Sequence, residues 1–494
     1  MLRAPSRKAG AAGLLLVVAL IASVTTACSS TGVANTVTGT LVWHSCGSIQ
    51  CATLSVPLDW SHPNGEHITL ALARRPADDR SDGVLLTNPG GPGGSGIDLV
   101  RDSADSFGAP LRDHFDIVSW DPRGVGQSTP VSCSSDLDFF YDVNRNSTSD
   151  AAERANVAAS RRLVDDCRTA SGRLLPYLST RSTVRDMDAI RAAMGQSTID
   201  YLGFSYGTYL GALYAQRYPH RVRAMVLDGA VDPAASYDDA IITQGVGFEH
   251  ALDAFLAWCR DNDDCAFAQG GDPTTAFDDL MRSLTGESLP ATIDGEDRSL
   301  GIGEANIGVA TALYSGDNAN GWVALGKALD DASNGDGSAL LALSDAYTGR
   351  HTGGSYDNTT AAFYAIGCLD GPAPRTVGAV ENLAQRAARV APNFGASTVW
   401  LGLPCTYWPV PPDGRAAPIH APGAPPIIVI GNTNDPATPY SQAEALASEL
   451  DSGRLLTYVG QGHTAYGHGH ACIDDAVDTY LVTLKLPPVG TRCH

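Results

Sequence analysis

Gly203-Phe204-Ser205-Tyr206-Gly207 places a serine between two glycines, where an apolar run meets a helical pattern. Upstream, residues 197–202 read as a short strand. Downstream, residues 208–218 read as a helix that Pro219 ends. A serine at so sharp a strand-to-helix turn is held exposed at the end of its strand, and only glycine tolerates the crowding on either side. A serine hydroxyl is a weak nucleophile at neutral pH. It needs a base to take its proton and a carboxylate to orient that base.

The far end of the chain supplies both groups. Asp435 lies in Gly431-Asn432-Thr433-Asn434-Asp435-Pro436-Ala437-Thr438-Pro439, just after an apolar strand at 426–431. His463 lies in Gly460-Gln461-Gly462-His463-Thr464, just after a strand at 454–459. The order Ser205, Asp435, His463 matches the nucleophile–acid–base order expected of a strand-turn-helix serine. Alternatives stand beside it. Asp228 and Asp232 follow the next strand, at 224–227, and could serve as the acid. His468 and His470 could serve as the base, and the three histidines together could bind a metal. A lone histidine in such a loop can also be purely structural.

Charge that develops on a substrate carbonyl oxygen needs two fixed N–H donors. Tyr206, directly after the serine, offers one. The glycine-rich run Gly90-Gly91-Pro92-Gly93-Gly94-Ser95-Gly96 offers the other, and Gly91 is the expected donor because Pro92 has no N–H. The same run could instead cradle a phosphate. It lacks the Gly-Lys-Ser/Thr of a nucleotide loop, and its spacing fits a dinucleotide fingerprint poorly. Asp121 and Arg123 are expected to fix a turn. No cofactor and no metal is expected, since the cysteines include no closely spaced ligand pair.

These groups need a rigid scaffold. Strands are read at 52–57, 68–74, 83–87 and 115–120, in addition to those already named. Helical patterns lie near 97–107, at 150–170 and at 182–194. Strands alternating with helices predict an α/β fold with a mostly parallel sheet. Between 234 and about 400 the pattern changes to helical stretches with few strands, including 248–260 and 303–315. This predicts a mainly helical insertion over one sheet edge. Alternation resumes with the late strands and helices at 441–450 and 473–484.

Four motifs in order carry a family resemblance. They are residues 88–96, Trp120-Asp121-Pro122-Arg123-Gly124-Val125-Gly126-Gln127-Ser128, Gly203-Phe204-Ser205-Tyr206-Gly207-Thr208 and residues 431–439, with Gly462-His463 as a fifth. Over residues 41–494 the chain resembles the secreted bacterial tripeptidyl aminopeptidases, a branch of the prolyl-aminopeptidase-like α/β hydrolases. Prolyl aminopeptidases have histidine where this chain has Pro89, which favours the tripeptidyl branch. The resemblance implies an α/β-hydrolase fold with a helical cap and a triad of Ser205, Asp435 and His463. It further implies a substrate with a free amino terminus, held by acidic cap residues such as Glu249, Glu304 or Asp370. An esterase or lipase acting on cell-envelope esters is the alternative activity. An inactive binding protein with the same fold is a third reading.

Composition constrains where such a protein works. Its 494 residues are 44% apolar and 18% charged, as expected of a globular chain. A net charge of −21 argues against nucleic acid as a partner. Residues 1–27 read as an export signal, with Arg3, Arg7 and Lys8 before an apolar stretch. Thr25-Thr26-Ala27-Cys28 resembles a bacterial lipobox, although Thr25 stands where an aliphatic residue is usual. Cys28 is therefore the expected lipidation site, 28–40 a tether, and the lipid anchor the expected contact with the membrane. The remaining layout is a core at 41–233, a cap at 234–400 and the end of the core at 401–494. Of eleven cysteines, ten remain after Cys28. A nearest-neighbour set of disulfides is expected in an oxidising compartment: 46 with 51, 133 with 167, 259 with 265, 368 with 405 and 472 with 493.

Overall fold

The structure, a computed structural model, describes residues 41–147, 149–267 and 271–494. The leader and lipobox readings, Cys28 included, lie outside the described residues. Ten strands form one sheet in the order β1-β2-β3-β5-β4-β6-β7-β10-β11-β12. They are β1 (His44–Cys46), β2 (Ile49–Pro57), β3 (His67–Arg75), β4 (Gly83–Asn88), β5 (Phe115–Trp120), β6 (Ile199–Phe204), β7 (Val222–Asp228), β10 (Ile427–Asn434), β11 (Gly453–Gln461) and β12 (Arg492–Cys493). The first three and β5 pair antiparallel, and every pairing from β5 to β12 is parallel. The predicted α/β-hydrolase fold is thus observed.

Alternate side chains of the central strands enter different cores, as the two-residue period of a strand requires. Leu86, Val118, Tyr201, Met225, Leu227, Ile427 and Val429 pack on one face. Leu85, Ile117, Leu202, Ala224, Val226, Ile428 and Ile430 pack on the other. Both faces are covered, so these strands are continuous apolar runs.

The chain between β7 and β10 is mostly helical, with helices at Tyr237–Asp261, Pro273–Leu284, Ile302–Tyr314, Ala324–Ser333, Ser338–Thr348, Thr359–Asp370 and Val377–Ala388. It also holds an antiparallel hairpin, β8 (Leu289–Ile293) and β9 (Glu296–Leu300), absent from the sequence reading. Part of this block has a core of its own around Phe255, Phe277, Leu313 and Leu329. All ten cysteines among the described residues are paired, in the nearest-neighbour set.

Register explains why the motifs converge. Asn88 pairs with Gly203, Phe204 with Asp228, and Asp228 with Ile430. The glycine-rich loop, the serine and the loops bearing Asp435 and His463 therefore all leave the carboxyl edge of the parallel strands, where open α/β sheets bind ligands.

Candidate active site

Strand β6 runs to Phe204, two residues past the sequence reading, and the helix Tyr206–Arg217 starts at once. Ser205 is the whole turn. Its φ of 53° and ψ of −125° are strained for a residue with a Cβ. A Cβ at Gly203 would come within 2.5 Å of the Gly207 carbonyl oxygen, so glycine is required there. The strain is held by neighbours. Ser205 N–H donates to the Asp228 carbonyl at 2.8 Å. The Thr208 hydroxyl donates to the Ser205 carbonyl at 2.6 Å and accepts from Val231 N–H at 3.0 Å.

Asp435 is buried at the end of β10. One oxygen accepts the N–H groups of Ala437 and Thr438, at 2.9 and 2.8 Å. The two oxygens lie 2.9 and 3.0 Å from His463 Nδ1. That contact requires a hydrogen on Nδ1, which leaves Nε2 of neutral imidazole free to accept a proton. The Thr438 hydroxyl donates to Asp435 Oδ2 at 3.2 Å and stands 3.4 Å from His463 Nδ1. Burial lowers the pKa of His463, but the charge and hydrogen bond of Asp435, with the charge of Asp228, outweigh it and raise the value above 6.5.

His463 is gripped from three sides. Asn432 donates through Nδ2 to the carbonyls of Gly462 and Thr464, at 2.8 and 2.7 Å, and so brackets His463. His463 N–H donates to the Tyr314 carbonyl at 2.8 Å. The Tyr314 ring meets the imidazole edge-on, with centroids 5.2 Å apart. His463 Nε2 is buried and has no hydrogen-bond partner among the described residues. No hydrogen bond joins it to Ser205 among the described residues. Serine and histidine nonetheless meet the same turn: Ser205 bonds Asp228, and a Cβ on the adjoining Gly229 would lie 3.1 Å from His463 Cε1.

The alternative residues have other partners. Asp228 is wholly buried and accepts Ala465 N–H at 3.0 Å and Tyr466 N–H at 2.8 Å. It therefore clamps the histidine loop and not the ring, and its burial pushes the carboxyl up to about 6. Asp232 accepts from Ala234 N–H. His468 meets the Thr464 hydroxyl, and His470 stacks on Tyr458. Glu249 accepts the N–H groups of Asn393 and Phe394, and Glu304 that of Gly301. Asp370 accepts the hydroxyls of Thr180 and Tyr206.

The glycine-rich loop crosses directly over the serine. A Cβ on Gly90 would lie 2.9 Å from both Ser205 Cβ and Tyr206 N, so the loop can approach this closely only as glycine. Gly90 N–H is taken by Asn88 Oδ1 at 3.0 Å. Asp121 anchors the far end of the loop, accepting from the Ser95 hydroxyl at 2.7 Å and Ile97 N–H at 3.2 Å. Arg123 is fully buried on Asp186 at 2.7 Å and on the carbonyl of Leu58. Asp121 also accepts Gln127 N–H at 2.7 Å and so fixes its own turn, whereas Arg123 ties that turn to distant segments.

Sequence reasoning missed Tyr314, Asn432 and Thr438 as neighbours of His463, and the Asp370–Tyr206 contact. Only Thr438 carried a local signal, as a hydroxyl three residues after an acid in a turn.

Known proteins match on the same ground. A family model described as TAP-like protein matches residues 391–493, and one described as alpha/beta hydrolase fold matches residues 83–269. The chain is 38% identical over 465 residues to "Serine protease Hip1" of Mycobacterium tuberculosis, covering 90% of this chain and 88% of that one. It is 36% identical to "Carboxylesterase B" of the same species, covering 90% and 86%. It is 33% identical to "Tripeptidyl aminopeptidase" of Streptomyces coelicolor, covering 89% and 82%. A serine set at a β6–helix turn, with relatives alike along nine-tenths of its length, makes the chain a serine hydrolase that belongs to the TAP-like α/β-hydrolase family.

Proposed function

We propose that this enzyme is an exported serine peptidase that releases short peptides, tripeptides above all, from the free amino terminus of peptides or proteins. The observation that carries the reading is the buried Asp435–His463 pair at the carboxyl edge that also bears Ser205. Relatives named serine protease and tripeptidyl aminopeptidase support the peptide substrate. The disulfides support an oxidising compartment, and lipidation of Cys28 would tether the enzyme to the outer face of the membrane.

The reaction follows from the hydrogen bonds. His463 Nε2 takes the proton of Ser205 as Oγ attacks the carbonyl carbon. Asp435 holds the imidazole by Nδ1 and stabilises its cation. The N–H of Tyr206, at the first position of its helix, lacks a partner within that helix, and its nitrogen would lie 2.9 Å from a Cβ on Gly90. It and the N–H of Gly91 receive the oxyanion, since the N–H of Gly90 is already bonded. His463 then protonates the leaving amine. Water, activated by the same base, cleaves the acyl-enzyme and releases the peptide.

A second reading has an observation of its own. A relative named carboxylesterase is nearly as similar as the protease, and the triad alone does not distinguish esters from amides. A tripeptide anilide should be cleaved and its N-acetylated form should resist. Equal cleavage of both overturns the aminopeptidase reading, and turnover of simple esters only would establish the esterase.

A further inference from the structure

One helix of the insertion touches both sides of the proposed oxyanion hole. At its start, the helix Thr359–Asp370 lies on the glycine-rich loop. A Cβ on Gly93 would sit 2.8 Å from the Thr359 carbonyl oxygen and 3.1 Å from Phe363 N, and one on Gly367 would sit 3.8 Å from Pro92 Cγ. At its end, Asp370 accepts the Thr180 hydroxyl at 2.5 Å on one oxygen and the Tyr206 hydroxyl on the other. The Thr180 and Tyr206 hydroxyls also meet each other. Tyr206 is the residue whose N–H is proposed to face the oxyanion.

The helix is itself pinned at both ends. Asn358 donates to the carbonyls of Gly124 and Val131 at 2.8 and 3.1 Å, and accepts from Gly126 N–H at 2.9 Å. The N–H groups of Asp413 and Gly414 donate to the Leu369 carbonyl, and Cys368 is bonded to Cys405. An element so held on the hydrolase core can fix the separation of two donors that come from different loops.

We propose that the helix Thr359–Asp370 sets the geometry of the oxyanion hole, with Asp370 a positioning residue that acts through the Tyr206 side chain. This rests on Ser205 being the nucleophile. Oxyanion donors act over a narrow range, roughly 2.7–3.1 Å from the developing charge, so a displaced Tyr206 weakens binding of the transition state more than that of the substrate. Asp370 does not touch the reacting atoms. Its carboxyl, pushed up to about 7 by desolvation, is committed to two internal hydroxyls. It is thereby distinguished from a group that receives the substrate's ammonium.

The test compares Asp370→Asn, Tyr206→Phe and the double variant, with kcat and KM on a tripeptide anilide and the inhibition constant of a peptide boronate. Each single variant should lose roughly ten- to hundredfold in kcat, with KM within about twofold. Boronate affinity should fall in parallel with kcat. The double variant should be no worse than the poorer single, since both remove one contact. Wild-type kcat in Asp370→Asn, a loss confined to KM, or additive losses would each overturn the proposal. If Asp370→Asn fails to fold, Tyr206→Phe alone decides by the same split. Ser205→Ala separates the two readings: turnover by that folded variant sinks the nucleophile assignment, whereas a dead Ser205→Ala beside a fully active Asp370→Asn sinks only this one.

Discussion

Tyr314, the last residue of a helix in the insertion, accepts the backbone N–H of His463 through its carbonyl and sets its ring edge-on to the imidazole. The proposed base is therefore positioned partly by a segment outside the sheet. Tyr314→Ala keeps the carbonyl but removes the ring. It should lower kcat roughly tenfold while circular dichroism stays native, because a base shifted by even a fraction of an ångström is poorly aligned. Tyr314→Phe, which retains the ring, should lose far less.

The two buried carboxylates near the base should behave differently. Asp435→Asn removes the acceptor for Nδ1 and should lower kcat by about 10⁴, since the amide favours the wrong tautomer. Asp228→Asn leaves that bond intact and disturbs the Ala465 and Tyr466 N–H groups. Its main effect should be on stability, about 1–3 kcal/mol, read by denaturant unfolding. The opposite ranking in kcat would make Asp228 the acid.

The pH dependence of catalysis follows from the proposed role of His463. The base must be neutral to accept the serine proton, so activity is lost as pH falls through its folded pKa. Burial lowers that pKa, yet Asp435 and Asp228 together raise it above the ordinary 6.5. The acid limb of kcat/KM should therefore lie above pH 6.5 in the wild type and move down in any Asp435→Asn activity that persists. A limb below the ordinary value would contradict the coupling.

Stability should show the reverse trend. Burial raises Asp200, Asp228 and Asp478 to about 6 and Asp370 and Glu304 to about 7. Each binds its proton more tightly folded than unfolded, so its contribution is present at acid pH and is lost as pH rises through the folded value. The loss accumulates between the ordinary carboxyl range, 3.8 for aspartate and 4.5 for glutamate, and about 7. The melting temperature should be higher at pH 5.5 than at pH 8, about where a net charge of −21 adds its own repulsion. A flat profile by calorimetry would show that these groups are solvated.

Much of the catalytic edge was legible because it is built from local signals. Apolar runs marked the buried parallel strands, and Gly203, Gly207 and the run at 90–96 marked places where backbone must pass close to backbone. Nearest-neighbour cysteines paired because short loops close readily. The insertion was read less well. Gly245 and Gly247 broke the pattern of the helix that in fact begins at Tyr237, because glycine there admits a neighbour: a Cβ on Gly247 would meet the Pro436 carbonyl at 2.5 Å. The β8–β9 hairpin was hidden by the polar stretch Glu296–Leu300. The partnerships of Tyr314 with His463 and Asp370 with Tyr206 join residues distant in sequence, and no local pattern announces them.

The sheet order has a temporal meaning. β6 leads to Ser205 early in the chain, but β10 and β11, which lead to Asp435 and His463, are laid beside β7 only after the whole insertion has emerged. A nascent molecule therefore holds Ser205 before the proposed acid and base are in place. On the proposed mechanism such a molecule is chemically idle until the final segment has docked.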